Sequence, residues 1–147
     1  MPDKSTIKKA QRDKREGKSA STQAGEFVHD EIEKIRKGKH GARSTKQAIA
    51  IGLNEARRAG VDLKAPAKGK TSEKTRRSAE SAYEKGQRHE PISRKRSEAS
   101  ERALKREPTS SASHAALSKH ARDAAKERSA TDRSASAKKA AKTRAKK

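Results

Sequence analysis

Large apolar residues are concentrated in one stretch of the chain. Val28, Ile32 and Ile35 recur at helical spacing with Phe27 at the edge of the same stripe, which predicts a helix over residues 26–37. Its acidic residues (Glu26, Asp30, Glu31, Glu33) come before its basic ones (Lys34, Arg36, Lys37), the order that suits a helix dipole. Gly38 stands where a left-handed cap would stop the helix. A second helix begins at Ser44, with Gln47 three positions later completing a capping box. Ile49, Gly52, Leu53 and Ala56 share a face of it, and Gly60 closes it. A glycine costs about 1 kcal/mol relative to alanine inside a helix. Placed in the apolar stripe, Gly52 is expected to let the first helix approach closely. Residues 25–63 therefore read as an antiparallel αα-hairpin, holding nine of the thirteen Val, Ile, Leu and Phe residues. Ile51 points away from the shared face and needs a third element or a partner to cover it.

The remainder is poorer in apolar positions. Residues 1–24 read as a basic disordered arm, and residues 64–71, with Pro66 and Gly69, as a linker. Residues 72–108 suggest weak helical segments: one from Ser72 with Ala79, Ala82 and Tyr83 on its apolar side and Gly86 as its end, another capped by Ser93 and stopped by Pro108. Residues 109–147 form a basic tail rich in Ala, Lys and Arg, with helix propensity but little to pack. The expected fold class is mostly α: a small hairpin core flanked by disordered or conditionally helical basic arms. Dimerisation through the hairpin, or binding of a ligand, would supply stabilisation that so small a core lacks.

Certain runs resemble a known family. Gly38-Lys39-His40-Gly41, then Ser44 to Leu53 (S-T-K-Q-A-I-A-I-G-L), then Glu55-Ala56-Arg57-Arg58-Ala59-Gly60, resemble small basic bacterial proteins with a K-Q-A-I-A-I-A/G-L-x-E-A-R core. Members often carry the label "DNA-binding protein". Arg102 to Glu107, Ala116 to Lys119 and Arg133 to Ala141 are similar to the distal parts of the same proteins. The resemblance implies a class of partner and carries no catalytic motif.

Composition sharpens the picture. Thirteen Val, Ile, Leu and Phe in 147 residues exclude a sizeable conventional core, and with no cysteine there is no covalent staple. No apolar leader and no apolar run near the length of a membrane span are present, so a cytoplasmic, nucleoid-associated protein is expected, without membrane partners. Net charge is +21, yet residues 25–63 carry only +2 while residues 109–147 carry +8. A near-neutral anchor with polycationic arms points to nucleic acid bound through its phosphates, since counterion release needs no base reading. One Phe, one Tyr and no Trp disfavour stacking platforms for single strands, which places duplex DNA ahead of RNA.

The candidate contacts are Lys39, Arg43 and Lys46 around the second helix start, where free N–H groups could hold a phosphate, with Arg57 and Arg58 at its end. In the tail they are Lys119, Arg122, Lys126, Arg128, Arg133, Lys138, Lys139, Lys142, Arg144, Lys146 and Lys147. The five histidines show no ligand spacing and are expected to be solvated, and Asp30, Glu31 and Glu33 to form an outer helical face. No catalytic arrangement, metal or cofactor is expected. Two other classes compete: a protein-interaction module acting through the hairpin, and a hydrophilic stress protectant, against which the unbalanced charge argues.

Overall fold

In the computed structural model, which describes residues 2–146, all regular structure is helical. Seven α-helices follow one another: α1 (Lys4–Arg15), α2 (Ala20–Arg36), α3 (Thr45–Arg58), α4 (Glu73–Gln87), α5 (Arg94–Leu104), α6 (His114–Glu127) and α7 (Ala130–Ala145). A short 3-10 turn at Ser110–Ala112 precedes α6. The chain divides into two compact units, residues 1–113 and residues 114–147.

The first unit is built on the α2–α3 hairpin, and the hairpin is built on a glycine. A Cβ placed on Gly52 would lie 2.7 Å from the Val28 Cα, so the two backbones meet where no side chain fits. On one side of this crossing Phe27, Ala24, Ala56, Val61 and Ala10 form a cluster, with Ile7 and Leu53 packed against it. On the other, Ile35, Ala42, Ala48 and Ala112 form a second, with Ile32. Ser44 caps α3 as expected, accepting from the Gln47 N–H at 3.2 Å, and Gln47 reaches back to accept from the Arg43 N–H at 2.6 Å. Gly38 and Gly60 take the left-handed conformation at φ 70° and 88°, each just past the end of its helix.

The expected disordered arm at residues 1–24 is a correction. Its first half is α1, which buries Thr6, Ala10 and Asp13, while its second half opens α2. Positions 6, 10 and 13 lie on one helical face. The face is small and partly polar, so a search for large apolar residues passes over it. Asp13 is 2% exposed and accepts from Lys18 Nζ at 2.8 Å, which closes the turn into α2. Ser19 caps α2, accepting from the Thr22 N–H at 3.3 Å, so the helix starts well before Glu26 and runs through Gly25.

Two further expectations shift. Gly86 does not end the fourth helix but lies inside it, because a Cβ there would collide with the Arg57 carbonyl of α3. With Ala79 and Ala82 it forms the buried face of α4. Glu31 is not on an outer face: it is 1% exposed, aligned with Phe27 and Ile35. The inward face of α2 is rotated from the one the large residues suggest, leaving Val28 and Ile32 half-buried. The tail is likewise helical, in α6 and α7, although neither helix contains a buried residue.

Candidate nucleic-acid interface

A helix holding many like charges needs either packing or counterions, and α7 has no packing. Its sequence alternates small residues with Lys and Arg, so no apolar stripe exists to bury and every described residue from Glu127 to Lys146 is exposed. Ser129 starts the helix by accepting from the Asp132 N–H at 3.1 Å. Lys138, Lys142 and Lys146 then recur every fourth residue, with Lys139 beside them, while Arg133 and Arg144 share the opposite side. Like charges four apart in a helix repel. Among the described residues, none of Lys138, Lys139, Lys142, Arg144 and Lys146 takes part in an ion pair. Lys147 lies outside the described residues.

Helix α6 sorts its residues better. Lys119, Arg122 and Lys126 fall on one face, and Leu117, Ala121 and Ala124 on another. Lys119 Nζ pairs with Asp123 at 2.6 Å, which holds that carboxyl below its ordinary range. Arg122 and Lys126 are exposed and, among the described residues, have no carboxylate partner. Two arginines stitch the α6–α7 junction: Arg128 donates to the Asp132 carbonyl at 3.1 Å and to the Ser136 hydroxyl, and Arg133 donates to the Ala125 carbonyl at 3.2 Å.

In the first unit the sequence-derived cations diverge in role. Lys39, Arg43 and Lys46 are exposed. The backbone around them is less open to an anion than a bare helix N-terminus. The Gly41 N–H donates to the Leu104 carbonyl at 2.9 Å and the Ala42 N–H to the Pro108 carbonyl at 3.0 Å. With the Arg43 and Gln47 N–H groups taken by the capping box, fewer backbone amides are left there for a phosphate.

Arg57 belongs to the fold. It is 5% exposed, and its guanidinium donates to the Leu63 carbonyl at 3.0 Å, the Lys64 carbonyl at 3.3 Å and Asn54 Oδ1 at 3.0 Å. Burial lowers its pKa from the ordinary arginine value. Arg58 is half-buried and ties α3 to the segment before α5, donating to the Glu90 and Pro91 carbonyls at 3.1 and 3.3 Å.

Reasoning from large apolar residues missed a buried ionic cluster. Glu31 faces His40 Nε2 at 3.4 Å, so His40 is not the solvated histidine expected of it. Burial raises the Glu31 pKa above its ordinary value, and nearby His40 opposes that shift. Beside it, Lys34 Nζ lies 2.8 Å from Asp30 and 3.9 Å from Glu55. Burial alone would depress the Lys34 pKa, but the bond to Asp30 and the charge of Glu55 raise it. The one legible signal was position: Glu31 stands midway between Phe27 and Ile35 at helical spacing.

No helix among the described residues is long and apolar enough to cross a membrane. No family model, curated protein or solved structure matches this chain.

Proposed function

We propose that the protein binds nucleic acid without reading its sequence, duplex DNA in preference to RNA, chiefly through residues 114–147. The carrying observation is the exposed lysine stripe of α7: Lys138, Lys142 and Lys146 with Lys139, unpaired and mutually repelling on a helix with nothing packed beneath it. A polyanion relieves that repulsion, and release of the counterions condensed on it drives the association. Arg122 and Lys126 on α6 extend the cationic surface, and Lys39, Arg43 and Lys46 add exposed charge on the first unit. The likeness of the Lys46–Arg57 core to small basic proteins labelled DNA-binding agrees with this reading. A nucleoid-associated, non-enzymatic role in the cytoplasm follows from it.

The test is a salt-resolved titration on duplex DNA, single-stranded DNA and structured RNA. If the second unit neutralises about six to eight phosphates, log K falls against log salt with a slope of about −5 to −7. All duplex sequences should bind alike, because phosphate contacts carry no base information. Strong preference for one sequence at physiological salt, or a slope near zero, would overturn the proposal.

A further inference from the structure

Within the first unit, α5 spans the hairpin without packing down on it. None of its residues is buried, and it is held at its two ends. Before its start, the Glu90 and Pro91 carbonyls accept from Arg58; at its finish, the Leu104 carbonyl accepts from the Gly41 N–H. Beneath it lies a cavity of about 590 Å³, within the range of small-molecule sites. Ile51, the apolar residue the hairpin leaves uncovered, lines it together with Ile92 and Leu104.

Each end of this cavity presents one buried polar atom without a hydrogen-bond partner, and the two are of opposite charge. At the Leu104 end it is Glu31 Oε1, on a side chain 1% exposed. His40 Nε2 stands 3.4 Å from it without making a hydrogen bond, while its Nδ1 lies 3.1 Å from the Gly41 carbonyl. At the Pro91 end the atom is Arg58 Nη1, whose sister Nη2 is the one bound to the carbonyls. Of the other charges on the walls, Lys34 pairs with Asp30 and Glu55 and Glu101 with Lys105, while Lys39 and Arg96 have no ion pair among the described residues.

We propose that this cavity binds a linear zwitterion, with a cationic group received by Glu31, an anionic group by Arg58, and an apolar middle against Ile51, Ile92 and Leu104. Helix α5, with its 11 residues, measures about 15 Å from end to end. An extended tripeptide reaches about 10 Å, and the Glu31 and Arg58 side chains project inward to meet it. Short peptides and long ω-amino acids share the required chemistry. The site is independent of the nucleic-acid reading, and binding is measured with no nucleic acid present.

Calorimetric titration of the full chain with ω-aminooctanoate, octylamine, octanoate and the tripeptide Ala-Leu-Ala tests it. The two-ended probes should bind at least tenfold more tightly than either single-ended one, and the tighter of the two names the natural source. Glu31→Gln should make ω-aminooctanoate bind no better than octanoate; Arg58→Gln should make it bind no better than octylamine. Ser100→Phe, at an exposed position of α5 that lines the cavity, fills it and should abolish binding with helix content unchanged. Equal affinity for octylamine and ω-aminooctanoate in the unaltered protein would overturn the proposal. So would unchanged binding in Ser100→Phe, or no binding of either two-ended probe.

Discussion

The two units have similar local character and differ in what their helices rest on. Both are Ala-rich, basic and helical, with Ser at the helix starts. In residues 1–113 the helices meet at glycines and bury alanines; α6 and α7 bury nothing. The charges follow the same division. Arg57, Asp13, Glu31 and Lys34 are engaged inside the first unit, whereas the α7 lysines face solvent alone. Helix formation is therefore not what separates a folded unit from a cationic arm. What separates them is whether the small residues fall on one face. Ala79, Ala82 and Gly86 do so on α4, unbroken by charge; on α7 the side that carries Ala130, Ala137 and Ala141 also carries Arg133 and Arg144, and none of it is buried.

The largest expected effect is on binding. Removing residues 114–147 should lower duplex affinity at 50 mM salt by about two to three orders of magnitude and flatten the salt slope, the second unit supplying most phosphate contacts. The thermal unfolding of the first unit should be unchanged. A truncated protein that kept its affinity and slope would move the interface to Lys39, Arg43 and Lys46.

Next comes the glycine crossing. Gly52→Val should destabilise the first unit by about 3 kcal/mol in chemical denaturation, because the added atoms meet the α2 backbone and not a movable side chain. A loss under 1 kcal/mol would mean that the hairpin can open without penalty.

Arg57→Met probes the divided roles of the arginines. It should cost about 1–2 kcal/mol of stability through the carbonyls left unpaired, with duplex affinity unchanged. A weakened complex with stability intact would return Arg57 to the interface.

Glu31→Gln gives a smaller effect that depends on pH. The folded protein raises the Glu31 pKa above its ordinary 4.5, so the native state holds this proton more tightly than the unfolded chain. Stability associated with that proton is fully present below pH 4.5 and is lost as pH rises through the raised value. His40, Lys34 and Glu55 are the charged neighbours that modulate it. The Gln variant should lack this decline; an unaltered pH profile would show that Glu31 is not its source.

The smallest effect is expected in the second unit. Leu117→Ala should change stability by no more than about 0.5 kcal/mol, as for surface positions generally. Hydrogen exchange should agree, with protection in α2 and α3 and little in α7.

Much of the hairpin was legible in the chain itself. The Ser44 cap with Gln47, the stops at Gly38 and Gly60, and the reserved space at Gly52 are local rules of backbone chemistry, and the structure follows each of them. The cationic character of residues 109–147 is likewise a property of composition. Only tertiary packing decided which faces turn inward. Among the described residues, eight of the eleven buried apolar ones are alanines, so the core depends on how closely backbones approach and not on the count of large side chains. A small residue gives the same weak signal whether buried or exposed, which is why α1 and the Gly86 contact could not be read from periodicity. Burial of Glu31, the inward turn of Arg57 and the cavity beneath α5 require the positions of several helices at once. The tethers from Arg58 and Gly41 join segments 32 to 63 residues apart in the chain, a range over which local patterns carry no information.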